Sequence, residues 1–203
     1  MSNVAKFHDT KSALVRLQEM REHGGTAQTT GLKDEVILSF LDERADLALA
    51  IERGYDRFCE LQNTQADFLA LDEQEQVRQA HAGLTNFYAE DAVNPYVAVG
   101  GAGPWIVTLK GAIVYDVGGY GMLGFGHAPA AVLDAMNKPH VMANIMTASP
   151  NKMDFVASLK KEIGHTRSAG FPFNSFLCMN SGSEAMSVAA RITDINTKKL
   201  TDP

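Results

Sequence analysis

Ser175-Phe176-Leu177-Cys178-Met179-Asn180-Ser181-Gly182-Ser183-Glu184-Ala185 is the stretch on which the fold turns. Phe176 to Met179 are apolar and suit a strand. Asn180 to Ser183 read as a turn, and Ala185, Val188, Ala189, Ile192 and Ile195 then recur at helical spacing. Strand, turn and helix in direct succession predict an α/β unit feeding a mostly parallel sheet. That order leaves the first free N–H groups of the helix at the strand's C-terminal end, where the helix dipole favours an anion. Gly182 allows close backbone approach, Ser183 adds a hydroxyl donor, and Glu184 is a first-turn acid that complements the dipole. Local physics alone fits equally an ordinary link whose serine caps the helix. Cys178, inside the apolar run, reads as a small buried hydrophobe.

Upstream, Ser149 is the expected N-cap of a helix with Pro150 at N1, a stripe of Phe155, Val156, Leu159 and Ile163, and Gly164 as its stop. Another helix carries Pro129 in its first turn. Tyr96–Val99, Trp105–Lys110 and Ala112–Val117 are short β-branched or aromatic runs, and Lys110-Gly111 resembles a tight hairpin turn. Before Asn94-Pro95 the pattern is helical. One stripe runs from Lys33 to Leu61 through Ile37, Phe40, Leu41, Leu47, Ile51, Tyr55 and Phe58. A second helix follows Asp72, with Glu75 as capping-box partner and Val77, Leu84 and Tyr88 on one face. Residues 1 to about 30 read as a loose polar arm with some helix. The expected organisation is a helical region over 1–93, a β-rich segment with a glycine loop over 94–128, and the start of an α/β domain over 129–203.

Gly119-Tyr120-Gly121-Met122-Leu123-Gly124 matches GxGxxG after a strand. A dinucleotide fingerprint needs a helix opening inside the glycines and an acid about 20 positions on at the end of a second strand. Here the helical pattern starts only near Pro129, and Asp134 and Asp154 fall in helical patterns. The glycines read better as places where backbone passes close to a ligand or to other backbone.

Composition narrows the function classes. The 203 residues are 45% hydrophobic and 21% charged, with a formal charge of -6. That balance argues against a nucleic-acid groove or a polybasic membrane patch. Two distant cysteines, Cys59 and Cys178, make neither a disulfide framework nor a zinc spacing. Met1–Thr10 has no apolar core of a secretory signal, and no run approaches the roughly 18 apolar residues of a membrane span. The expectation is a cytosolic protein.

Asn180-Ser181-Gly182-Ser183-Glu184-Ala185 is similar to the Asn-Ser-Gly-Ser/Thr-Glu-Ala element of class III pyridoxal-phosphate aminotransferases, the family of ω-amino acid and ornithine aminotransferases. Val114 to Pro129, with Gly119, Gly121, Gly126, His127 and Pro129, looks like the family's Gly-His-x-His-Pro segment, and the helices follow in the family's order. The likeness covers roughly Asn94 to Thr197. It departs at Asp116, one residue out of step, at Gly118, where a serine is common, and at Ala128. The resemblance implies a fold-type I architecture: a helical N-terminal region, a small β meander and the start of the large α/β domain. It implies pyridoxal 5'-phosphate as cofactor, its phosphate held by Gly182 and Ser183 with Ser181 beside them. It makes His127 a structural loop residue and aligns Tyr120 with a position that faces substrate in some relatives. It further implies a homodimer, and transfer of an amino group from an amine or ω-amino acid to a 2-oxo acid.

Such chemistry needs a Schiff-base lysine and an acid beside the pyridinium nitrogen. In the family both lie beyond the phosphate turn. Lys198 and Lys199 follow it here, but on a continuous helix Lys198 stands roughly 22 Å from Ser183. Lys152 and Lys160 read as solvated. The expectation is therefore an N-terminal fragment, inactive alone, with no catalytic residue within it. Two other readings stay open: another enzyme on the same cofactor scaffold, such as an aminomutase or decarboxylase, and a non-catalytic homologue that keeps the half-fold.

Overall fold

In a computed structural model the described residues are 10–86, 89, 92–117, 124–141, 144, 146–173 and 175–201. They form eight helices and one three-stranded antiparallel sheet, in two compact units, Met1–Lys138 and Pro139–Pro203.

The first unit is built around one long helix. Helix α3 (Ala45–Thr64) buries Leu47, Ala50, Ile51, Gly54, Phe58 and Leu61, a stripe at helical spacing. It packs on helices α1 (Thr10–Glu22) and α2 (Asp34–Leu41), and on strands β1 (Ala98–Ala102) and β2 (Trp105–Thr108). The stripe expected from Lys33 to Leu61 is thus two helices. Between them the Arg44 guanidinium pairs with the Asp46 carboxylate at 2.7 Å, and Trp105 Nε1 donates to that carboxylate at 3.2 Å, fixing the corner against the sheet. The helix expected somewhere within the N-terminal arm is α1, which buries Ala13, Leu17 and Met20, three positions on one face that the polar composition of the segment obscured.

Strand β3 (Ile113–Tyr115) completes the meander in the order β1-β2-β3, and the Lys110-Gly111 hairpin forms as expected, with Gly111 at φ 70°. Helix and sheet meet at two glycines: a Cβ on Gly100 would lie 2.4 Å from the Gly54 nitrogen. Larger residues there would push α3 off the sheet. Helices α4 (Ala66–Leu69), α5 (Glu73–Ala80) and α6 (Ala130–Met136) complete the unit. Helix α5 is shorter than expected, and Leu84 is exposed; Tyr88 lies outside the described residues. The capping box does not form. Asp72 instead accepts the Thr26 N–H at 2.6 Å, and Glu75 pairs with Arg78 and Gln79.

The second unit holds α7 (Pro150–Gly164) and α8 (Gly182–Thr201). Ser149 and Pro150 take the expected N-cap and N1 places. Residues 175–179 are not a strand. A strand exists only by pairing, and no described residue pairs with this run, so no parallel sheet begins here. For the same reason Cys178 is exposed rather than buried.

Candidate functional site

The Asn180–Ala185 turn opens α8 as a capped helix start. The Ala185 N–H bonds the Ser181 carbonyl at 3.1 Å, which makes Ser181 the N-cap. The Glu184 N–H donates to Ser181 Oγ at 3.2 Å, and the Asn180 N–H donates to Glu184 Oε2 at 3.0 Å. This is a capping box displaced by one residue on its return arm. The sequence allowed a serine cap without saying which serine and gave Glu184 as a dipole partner; the structure makes Ser181 the cap and shows the reciprocal bond.

Of the orphan donors at this end, the third-position N–H is consumed by the cap. Those of Gly182 and Ser183 have no partner among the described residues, and neither has the Ser183 hydroxyl. All three residues, Ser181, Gly182 and Ser183, are exposed. A Cβ built on Gly182 meets nothing within 4 Å. Two free N–H groups and one hydroxyl at the positive end of a 20-residue helix are a donor set suited to an anion, and the room beside Gly182 admits one. The Glu184 carboxylate, turned back onto Asn180, is the one opposing charge within the turn.

A second feature of the resemblance lies in the other unit. His127 Nε2 and Asp116 Oδ2 are 3.0 Å apart, both side chains about one-fifth exposed. The Asp116 N–H donates to the Pro104 carbonyl and the His127 N–H to that of Gly103, each at 2.7 Å. Gly126, at φ 78°, lies so close to Gly103 that a Cβ would stand 2.6 Å from its Cα. Close backbone-to-backbone approach therefore explains Gly126. The histidine ring is held by a carboxylate beside a glycine corner, an arrangement suited to fixing a loop. Tyr120, Gly119 and Gly121 lie outside the described residues. Helix α6 begins at Ala130, four residues after Gly126, too late for a dinucleotide fingerprint.

Lys110 and Lys152 are engaged, and Lys198 and Lys199 are remote from the turn. Lys110, which the sequence placed at a hairpin turn, is buried, and its ammonium donates to the carbonyls of Gly24, Leu69 and Leu71. Burial lowers its pKa. A lowered pKa marks a nucleophilic lysine only when the amine has a free lone pair and access to solvent, and here all three N–H donors are used inside the fold. Lys152 is not simply solvated: it donates to the carbonyls of Asn144 at 3.0 Å and Thr147 at 2.6 Å, tying down the approach to α7. Helix α8 does run on through Lys198 and Lys199, which keeps both a full helix length from Ser183. No group of three or more metal-binding side chains exists among the described residues, and no described helix is long and apolar enough to cross a membrane.

No family model, curated protein or solved structure matches the chain.

Proposed function

We propose that this chain carries the phosphate-binding half of a pyridoxal-phosphate site, in an aminotransferase that resembles class III enzymes. The observation that supports this reading is the pair of free N–H groups on Gly182 and Ser183, beside the Ser183 hydroxyl, at a capped and exposed helix start. The motif resemblance chooses pyridoxal phosphate among anions. When bound, that cofactor supplies an electron sink for chemistry at an amine-bearing carbon. The part assigned to these residues is narrower. Gly182 and Ser183 hold the phosphate, Ser181 keeps the first turn in place, and Gly126, His127 and Asp116 fix the corner that leads into α6. Amino-group transfer between an amine or ω-amino acid and a 2-oxo acid would take a lysine and a ring-nitrogen acid outside this set, with a homodimer completing the site.

Titration of the isotope-labelled chain with inorganic phosphate and with pyridoxal phosphate tests the reading. The amide resonances of Gly182 and Ser183 should move together and saturate. Ser183→Ala should weaken binding by about 1.5–3 kcal/mol, one charge-assisted hydrogen bond. Gly182→Val should weaken it further, because a branched side chain takes the space the phosphate needs. Unmoved amides would reject the assignment. Borohydride treatment with pyridoxal phosphate should label scattered surface lysines only. One dominant, stoichiometric label on a single lysine would place the chemistry elsewhere in the chain.

A further inference from the structure

A polar knot lies buried in the first unit, apart from the phosphate turn. Segment 24–29 crosses the start of α5 and is fastened there by side chains. Asp72 takes the Thr26 N–H, and one oxygen of Glu73, Oε2, takes the N–H groups of both Gln28 and Thr29 at 2.6 and 2.7 Å. Lys110 takes the Gly24 carbonyl from below. Glu73 is 1% exposed and Gln76 is fully buried. Yet Glu73 Oε1 and Gln76 Oε1 have no hydrogen-bond partner among the described residues. A buried acceptor left without a donor is destabilising, and native interiors rarely leave one so.

The donors of Lys110 and of Gln76 itself are committed. The Lys110 ammonium has three N–H groups and three carbonyls. The Gln76 amide nitrogen donates to the carbonyls of Phe68 at 3.0 Å and Leu69 at 3.1 Å, using both its protons. Turning that amide over would set its oxygen against two carbonyl oxygens. Glu73 and Gln76 stand three apart on α5 and so share one face of the helix. Two acceptors on one face, both sealed from solvent, call for one donor with two protons.

We propose that Glu73 Oε1 and Gln76 Oε1 share a single internal water that donates to both. The other way to satisfy the pair is a proton on Glu73 donated directly to Gln76 Oε1. Water serves both oxygens as acceptors and leaves the Glu73 Oε2 bonds to the Gln28 and Thr29 N–H groups as they stand. A buried water of this kind makes two to four such bonds and belongs to the fold as much as a side chain does.

A crystal structure of the protein at a resolution that shows ordered solvent should place one water within hydrogen-bond distance of both oxygens. In Glu73→Gln the new amide can donate to Gln76 Oε1 itself while its oxygen keeps the Gln28 and Thr29 N–H groups. The water should be lost there, and the two side chains should come into direct contact. In solution, the Gln76 side-chain amide protons should show a cross-peak to a long-lived water in the wild-type protein. That peak should vanish in Glu73→Gln. A direct, water-free contact between the two oxygens in the wild-type protein would overturn the proposal in favour of the shared proton. Separate protein donors on each oxygen would overturn it outright. The wild-type crystal and cross-peak decide the question even if the variant does not fold.

Discussion

Helices α3 and α8 are each 20 residues long, and each carries an apolar stripe, but they end in opposite situations. On α3 the stripe is sealed: Leu47, Ala50 and Phe58 have no exposed surface and Ile51 only 1%. On α8 the same pattern lies open, with Ile192 and Ile195 more than half exposed. Helix α7 repeats the lesson with Phe155 and Ile163, and no described residue of the second unit is buried. Periodicity tells which face of a helix would go inside. It says nothing about whether a surface exists to receive that face. The first unit supplies one, because β1 and β2 offer a small-residue seat at Gly100 on which α3 can settle.

The widest predicted gap between the two units is in their cores. Phe58→Ala should destabilise the first unit by about 3–5 kcal/mol, combining lost transfer energy with a cavity. Trp105 is the chain's only tryptophan and lies buried in that unit, so urea unfolding followed by its fluorescence reads the loss directly. Phe155→Ala should change helical circular dichroism melting by no more than about 0.5 kcal/mol, as exposed positions do. Equal losses at the two positions would erase the distinction.

Glycine sharpens the same contrast at a smaller scale. Gly100→Val forces a branched side chain into the Gly54 backbone and should cost about 1–3 kcal/mol, again by Trp105 fluorescence. Gly182→Val meets open space, so folding should be nearly unchanged while phosphate binding falls. A Gly182 variant that loses α8 would mean the residue serves the fold and not a ligand.

How much of this was legible in the sequence depended on whether a feature was local. The hairpin at Gly111, the Ser149-Pro150 helix start and the last two strands of the meander are written in adjacent residues and lie where expected, whereas the first strand, expected over Tyr96–Val99, runs over Ala98–Ala102. Local reading failed where a partner was distant. Asp72 and Glu75 spell a capping box, but Asp72 is claimed by Thr26, 46 positions away. Lys110 reads only as part of a hairpin turn, and the fold alone reveals three carbonyls around it. Residues 175–179 read as a strand because strand propensity is visible in sequence, whereas the neighbouring strand is not. The Asn180–Ala185 turn was legible as a motif, and the structure adds that, among the described residues, its first two N–H groups have no partner while the third is spent on the cap.

Helix caps give a finer comparison. Ser181→Ala removes the bond to the Glu184 N–H and should loosen the first turn of α8 by about 1 kcal/mol. Ser149 also stands at an N-cap but makes no side-chain cap bond, so Ser149→Ala should be close to silent. Amide hydrogen exchange at the first turn of each helix separates the two. Faster exchange at α7 than at α8 after the matched substitutions would show that the observed cap bond has no energetic content.

The smallest effect is the most specific to the first unit's loop. The Thr26 backbone N–H, by donating to the Asp72 carboxylate, holds its pKa below the ordinary value of 3.8, with the Lys110 charge helping. A carboxylate whose folded value is depressed adds stability that is fully present above its unfolded value. That contribution is lost as pH falls through the folded one. The attachment of segment 24–29 should therefore hold at neutral pH and weaken only below pH 3.8, as Asp72 takes up its proton. The side chain is exposed, so the gain is screened and modest. In Asp72→Asn the side-chain oxygen can still accept the Thr26 N–H, but no charge is left to titrate. The Thr26 amide shift should then show no acid transition from this residue, whereas in the wild-type protein it should follow Asp72. An unchanged transition in Asp72→Asn would assign the acid sensitivity to another group.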